Sequence, residues 1–289
     1  MDQRTIVITG ANTGIGLETA VSLASAGERV IIACRNPAKA DAAVAEISAR
    51  AASSDVSAVP LDLASLASVR ACAAELGRRC ERIDVLINNA GLIQSGRETT
   101  VDGFETTFGV NHLGHFLLTD LLRERLVASA PARVVTVSSI AHRLAGGMSW
   151  SDLQHERGYN GTVVYNESKL ANVLFTVELA RRLEGTGVVA NCLHPGAVRT
   201  GFGNAEDTRG LERLGVLLGT PFFVTAHRGA QPIVRLAAWP QYATVTGGYY
   251  VGGYTARCAK RNASAAGRDP VAAQRLWAVS EELLAGVTG

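Results

Sequence analysis

The chain predicts an α/β fold: a doubly wound, mostly parallel sheet with helices on both faces, built as one domain over residues 1–289. Three observations carry that prediction. Strand-like runs alternate with longer helical patterns through the first two-thirds of the sequence. The strands are near-continuous apolar runs, as expected of strands buried on both faces. The first strand also passes through a glycine-rich turn into a helix, TIVITGANTGIG at residues 5–16.

TIVITG (5–10) reads as a strand, GLETAVSLASAG (16–27) as a helix and RVIIAC (29–34) as the next strand. PAKADAAVAEISARAAS (37–53) is a helix with Pro37 in an early turn. DVSAVPLD, LASVRACAAELGRR and RIDVLINNAG continue as strand, helix and strand. FETTFGVNHLGHFLLTDLLRERLVAS (104–129) keeps a helical pattern despite Gly109 and Gly114, and ARVVTVSS (132–139) is a strand ending in polar residues. Residues 143–161 form an irregular excursion before the helix TVVYNESKLANVLFTVELARRL. GVVANCLHP (187–195) and GGYYVGG supply the last strands. The helix between them, RGAQPIVRLAAW, tolerates Pro232 only in its first turn. No linker and no internal repeat interrupts the series.

Composition narrows the function. An apolar fraction of 47% supports one substantial core, and a net charge of +2 without a basic block gives no reason to expect nucleic acid or an anionic membrane as partner. The five cysteines, Cys34, Cys72, Cys80, Cys192 and Cys258, are odd in number and scattered, which suits a reducing compartment. They form no close metal-ligand cluster, and no metal is expected. The apolar stretch GVLLGTPFFV is broken by Gly219 and Pro221, so the protein is expected to be cytoplasmic, without a membrane anchor.

In the turn, Gly10, Gly14 and Gly16 permit a sharp bend, close approach to a pyrophosphate and tight contact between helix and sheet. Asn12, Thr13 and Ile15 belong to the same turn, and Asn36 offers a further phosphate contact. This is a Rossmann-type arrangement whose spacing differs from GxGxxG. Arg35, directly after the second strand, stands where a carboxylate would hold the ribose hydroxyls of NAD; a guanidinium there pairs with a 2′-phosphate, which favours NADP. The alternative is a solvent-facing arginine opening a helix. Asp62 offers an acceptor to an adenine amino group and equally a cap to the helix near Leu66, for which Ser65 is better placed. Asn88 is expected to be structural, tying adjacent strand ends, with the backbone of Asn89, Ala90 and Gly91 facing the cofactor.

Tyr165 and Lys169 are four residues apart on a helical pattern and so share one face. Hydride transfer to a carbonyl leaves negative charge on oxygen, which calls for a donor and a proton source. A neighbouring ammonium lowers a tyrosine pKa from about 10, so Lys169 is expected to pull Tyr165 down. Ser139 ends its strand as a hydroxyl donor, and Asn111 lies in the preceding helix. Glu167, two residues from Tyr165, is expected to face solvent or a partner. His142 is assigned to packing or a local hydrogen bond, and His194 has no ligand cluster.

TGANTGIG, DL at 62–63, NNAG at 88–91, YNESK and HPGAVRT at 194–200 together resemble the motifs of the classical short-chain dehydrogenase/reductase family. ACRN, VNHLGHFLLT, VVTVSSIAHR and RDPVAAQRLWAVSEELL are similar to its retinol-dehydrogenase-like and protochlorophyllide-reductase-like branch. The resemblance implies that Tyr165 is the general acid–base and Lys169 its partner and ribose contact. It also implies that Ser139 is the donor to the substrate oxygen and that Asn111 supports a water-linked proton route. Asp62 and Leu63 are implied as adenine contacts, with Pro195, Gly196, Val198 and Thr200 wrapping the nicotinamide. It further implies an NADP(H)-dependent carbonyl reductase acting on a lipophilic ketone, aldehyde or secondary alcohol. A substrate-loop insertion at about 200–226 contributes Leu211, Leu214, Leu217, Leu218, Phe222 and Phe223 either to a lid or to its docking on the core. Vertebrate retinal relatives often carry a membrane attachment ahead of this domain, whereas this chain starts at its first strand. Self-association as a homodimer or homotetramer fits the broad face of the Asn111 and Tyr165 helices. The competing readings are an NADPH-responsive binding protein without turnover and a redox-neutral cyclase, epimerase or dehydratase.

Overall fold

The computed structural model describes residues 3–52, 55–197, 224–252 and 258–287. Eight strands form one sheet: β1 (Thr5–Thr9), β2 (Arg29–Cys34), β3 (Val56–Pro60), β4 (Val85–Asn88), β5 (Ala132–Val137), β6 (Val188–His194), β7 (Tyr249–Val251) and β8 (Ala259–Arg261). Their order is β3-β2-β1-β4-β5-β6-β7-β8; all pairings are parallel except β7 with β8. The chain reverses direction across the sheet between β1 and β4, and a doubly wound sheet opens its ligand crevice at that switch point.

The alternation of β1 shows why the sheet is covered twice. Val7 enters one apolar cluster with Leu86, Val134 and the helices α3 (Leu66–Arg79), α5 (Gly114–Ala128), α6 (Gly161–Arg182) and α8 (Pro270–Ala285). Ile6 and Ile8 enter the other, with α1 (Gly14–Ser25), α2 (Pro37–Ala51) and α7 (Ala226–Ala238). Both faces of a strand carry apolar residues because both are buried, as its unbroken hydrophobic run requires. The helix starts are read correctly where caps are explicit. Asn36 accepts from the Lys39 amide with Pro37 in the first turn of α2, and Ser65, rather than Asp62, caps α3.

Three features depart from the sequence expectation. The long helical pattern is α4 (Thr106–Phe108), a π turn (Gly109–Leu113) and then α5, so Asn111 sits in a widened turn. Pro232 lies inside α7 rather than in its first turn. Its ring occupies space that only a residue without a Cβ leaves open: a Cβ on Gly252, after β7, would lie 2.6 Å from the Pro232 Cβ. After β7 come two elements the sequence reading does not place, the edge strand β8 and α8. Trp277 of α8 stacks on Phe175 of α6 at 5.9 Å and meets Phe116 of α5 edge-on at 4.7 Å, covering these helices from within the chain. Among the described residues no helix is long and apolar enough to cross a membrane.

Candidate active site

The turn after β1 is shaped by missing side chains. Gly10 and Gly14 adopt φ values of +66° and +59°, in the left-handed region that glycine tolerates. A Cβ on Gly10 would lie 2.8 Å from the Ala90 Cβ, and one on Gly16 would lie 2.6 Å from the Gly10 carbonyl oxygen. The backbone is thereby pressed into the gap between β1 and β4. Thr13 caps α1 without a side-chain bond, so the turn presents the helix N-terminus itself, an anion site by its amides and dipole.

One cavity of about 830 Å³ follows the strand ends in sheet order. Gly10, Asn12, Thr13, Gly14, Ile15 and Gly16 line it after β1; Asn89, Ala90 and Gly91 after β4; Ser139 after β5; Pro195 and Gly196 after β6; and Tyr165 and Lys169 from α6. Val198, Thr200 and the residues named for the lid lie outside the described residues. Four other expected cofactor contacts do not line the cavity. Arg35 is exposed at the end of β2, and Asn36 is engaged as the α2 cap. The Asp62 carboxylate accepts from the Ala64 amide at 3.0 Å, and Leu63 is buried against Gly114, whose Cβ would lie 2.7 Å from the Leu63 carbonyl oxygen. Lys39, in the first turn of α2, does line the cavity and was missed.

The chemical groups are brought together by α6 packing against the end of β5. The Ser138 hydroxyl donates to the Lys169 carbonyl at 2.7 Å, and the Asn172 amide donates to the Val137 carbonyl at 3.2 Å, fixing helix to strand. Ser139 is left facing Tyr165, to which its hydroxyl is bonded. Lys169 is 3% exposed, its Nζ 5.5 Å from the centroid of the Tyr165 ring. Asn111 stands behind Gly91: its amide donates to the Leu92 carbonyl at 2.9 Å and to Ser168 Oγ at 3.0 Å, while its Oδ1 accepts from the Leu92 amide at 2.8 Å. A Cβ on Gly91 would lie 3.1 Å from Lys169 Nζ and 3.2 Å from Asn111 Oδ1, so glycine is what lets the β4 loop pass both.

The protonation states differ from expectation. Burial pushes the Tyr165 hydroxyl up to about 12, against which the Ser139 bond works only partly. Burial likewise pulls Lys169 down to about 8. The lysine was expected to lower the tyrosine, but its ammonium lies against the ring and both groups lose water, so each favours its neutral form.

Two buried imidazoles complete the site, each using both nitrogens. The carbonyl of Asn111 can only accept, so His115 Nδ1–H donates to it at 3.2 Å and Nε2 accepts from the Thr9 hydroxyl at 2.9 Å. Thr9 Oγ1 also accepts the amides of Asn89 and Ala90 at 2.9 and 3.0 Å, so one threonine joins the cofactor turn, the β4 loop and the Asn111 turn. His142 Nδ1–H donates to the Ser139 carbonyl at 2.6 Å and Nε2 accepts from the Ser264 amide at 3.1 Å. Burial lowers His115 to about 4 and also lowers His142, which keeps both rings neutral. The local bond expected of His142 is thus present, whereas Thr9 and His115 were missed; the only signal for His115 was its position one turn after Asn111. His194 is buried at the end of β6. Glu167 does not face solvent or a partner: it is buried, accepts the Ser149 amide and hydroxyl at 3.0 and 2.8 Å, and pairs with His155 at 3.3 Å. The excursion before α6 folds over it, a contact that helix spacing does not reveal.

Residues 4–209 match the short chain dehydrogenase family. The chain is 46% identical to retinol dehydrogenase 13 of Homo sapiens over 97% of its length and 84% of that protein. It is 47% identical to retinol dehydrogenase 12 of Mus musculus, over 97% of its own length and 86% of the relative's. Among solved structures, an uncharacterized protein from Mycobacterium paratuberculosis superposes with a TM-score of 0.77 at 38% identity, covering 97% of this chain and 93% of the other. An active-site complex of Pseudomonas aeruginosa RhlG with NADP superposes at 0.68 with 29% identity, covering 86% and 94%. Identity of this extent, spanning both the glycine turn and the Tyr165 helix, is enough to assign the chain: it belongs to the short-chain dehydrogenase family of oxidoreductases, in the retinol-dehydrogenase-like branch.

Proposed function

We propose that the chain is an NADP(H)-dependent carbonyl reductase acting on a lipophilic ketone or aldehyde, and on the corresponding secondary alcohol in reverse. The observation that carries this reading is the single cavity joining the glycine turn to Ser139, Tyr165 and Lys169. The residues present fit a dinucleotide. The turn has no room for a Cβ at Gly10 or Gly16, and Lys169 brings a buried ammonium to the cavity wall. Gly10 to Gly16 would hold the pyrophosphate, Asn89 to Gly91 the ribose side and Lys169 a ribose hydroxyl. Arg35, exposed at the end of β2, and Lys39 at the cavity wall support a 2′-phosphate and hence NADP.

When bound, the nicotinamide supplies or receives the hydride. Ser139 donates a hydrogen bond to the substrate oxygen and so stabilises the charge that develops there. Tyr165, kept protonated by its burial, gives its proton to that oxygen; in oxidation its phenolate takes the proton back. The Lys169 ammonium favours the phenolate at that moment, and Asn111 holds the Leu92 backbone beside it. Ile140, beside Ser139 in the chain, and Val163, two residues before Tyr165, are exposed by 46% and 42%, which supports a lipophilic substrate.

Purified protein screened with NADPH and NADH against varied ketones and aldehydes should turn over with NADPH preferred. Tyr165→Phe should lower kcat by about a hundredfold or more with cofactor affinity preserved. Stronger activity with NADH would overturn the cofactor assignment, and unchanged turnover in Tyr165→Phe the acid–base assignment.

A further inference from the structure

We infer that His142 is a positioning residue for Ser139, and that it takes its own bearing from the C-terminal segment through the main-chain amide of Ser264. The inference rests on the proposed reduction, in which Ser139 binds the substrate oxygen.

Ser139 is the residue after β5 whose placement is least secured by the sheet. The β5 pairing with β6 ends at Val137, and Ser138 still donates its amide to the Leu193 carbonyl at 2.8 Å. Ser139 then leads into the 3₁₀ turn Ile140–Leu144, its own hydroxyl accepting from the Ala141 amide at 3.2 Å. What holds its carbonyl is the His142 side chain at 2.6 Å, with the His142 amide at 3.2 Å. The ring is fully buried and lies edge-on to Tyr249 of β7 at 4.7 Å. Its orientation is therefore set on three sides: the Ser139 carbonyl, the Tyr249 ring and the Ser264 amide.

A neutral imidazole is the side chain that donates at one end and accepts at the other across a rigid spacer. The far support is itself fixed. Ser264 Oγ accepts from the Gly267 amide at 3.1 Å, and a Cβ on Gly267 would lie 3.1 Å from Val173 Cγ1 of α6. Arg143, next to His142, donates to the Asn262 carbonyl, so two adjacent side chains fasten the turn to the same segment. Through this bridge, residues 262–267 set the height of Ser139 over the cavity without reaching the cavity themselves. A donor displaced by a fraction of an ångström still folds but meets the substrate oxygen poorly.

The test measures kcat, KM for a carbonyl substrate and NADPH affinity by fluorescence in wild type, His142→Ala, His142→Asn and Ser264→Pro. His142→Ala should lower kcat by about tenfold to a hundredfold while NADPH affinity stays within about twofold. His142→Asn, which keeps a donor near the Nδ1 position and has no acceptor at the Nε2 position, should recover only part of that loss. Ser264→Pro removes the amide hydrogen that His142 accepts together with the hydroxyl that accepts from Gly267, so Ser264→Ala, which keeps the amide, is measured beside it: the Pro variant should lower kcat in the same sense and the Ala variant should not. Should His142→Ala not fold, the Asn and Pro variants decide the matter: kcat at the wild-type level in Ser264→Pro overturns the bridge. A kcat within about twofold of wild type in His142→Ala, or an equal loss of turnover and NADPH affinity, overturns the positioning role. Absence of carbonyl turnover in the wild type itself counts against the reduction, and with it against this inference.

Discussion

The two ends of the cavity are built by opposite means. After β1 the site is made of backbone: Gly10, Gly14 and Gly16 let the main chain turn and approach, and the N-terminus of α1 carries no side-chain cap bond. Between β5 and α6 the site is made of side chains, buried and shifted in protonation, with Tyr165 raised and Lys169 lowered. A backbone cradle needs little support beyond close packing, because its donors are fixed by φ and ψ. A side-chain site needs each rotamer held, which is the task of Ser138, Asn172, His115 and His142. The first end should respond to added volume, the second to lost hydrogen bonds and displaced protons.

The largest effect expected from this difference is at Gly16. A Cβ there would lie 2.6 Å from the Gly10 carbonyl and from Asn89 Nδ2, and 2.9 Å from the Ala11 Cα. Two of these neighbours are backbone and cannot swing aside. Gly16→Val should weaken NADPH binding by about a hundredfold, the equivalent of 2–3 kcal/mol of overpacking, measured by fluorescence titration. Turnover at saturating NADPH should fall much less, since Ser139 and Tyr165 are attached to other strands. Equal losses in affinity and saturated turnover would show that the two ends are not separable.

The same difference explains what could be read from the sequence. β1 to β6 were legible because strands covered on both faces read as unbroken apolar runs, and the glycine turn because only missing side chains allow it. Tyr165 and Lys169 were legible from helical spacing. Strand β8 was not, because Ala259–Arg261 is a short polar edge held by pairing with β7 rather than by an apolar pattern. The π turn was hidden because the same residues satisfy ordinary helix periodicity. Pro232 was misplaced because the space for its ring is supplied by Gly252, a partner distant in sequence. Glu167 was misread for a related reason: helix spacing sets its angle from Tyr165, but only the fold brings Ser149 and His155 over it. Apart from the short-range bonds of His115 to Asn111 and of His142 to Ser139, the supports of the chemical end are of this non-local kind.

Lys169 should show that an activity-bearing group costs stability. Its ammonium is buried and its pKa pulled down to about 8, so folding favours the neutral amine. The stability it withholds is regained as pH rises from about 8 toward the unfolded value near 10.4. Lys169→Met removes that cost and should stabilise the cofactor-free protein by roughly 1–3 kcal/mol at neutral pH, seen as a higher melting temperature, while turnover collapses. In wild type, reductive turnover should decline above about pH 8 as the ammonium is lost. A lower melting temperature in Lys169→Met would mean that the ammonium is satisfied in the fold, contrary to its burial.

The smallest effect lies at Glu167, on the helix that carries Tyr165 but directed into the excursion. Its bond to Glu167 raises His155, with burial opposing. Burial alone would raise Glu167, yet the bonds from His155 and Ser149 together hold it below the usual carboxylate range. The two shifts bound a window. Stability from the raised histidine is full below its unfolded pKa of about 6.5 and is lost as pH rises through the higher folded value; stability from the depressed carboxylate is full above about 4.3 and is lost as pH falls through the lower folded value. The pair therefore contributes most between about pH 4.3 and 6.5. Glu167→Gln should reduce stability by about 1–2 kcal/mol within that window and less above it, measured by urea unfolding across pH. Because the carboxylate faces the excursion rather than the cavity, kcat should change by less than about threefold, within 0.7 kcal/mol of barrier. A larger fall in kcat with a flat stability difference would place Glu167 among the groups that act on the substrate, and the boundary between the two kinds of support would have to be redrawn inside α6.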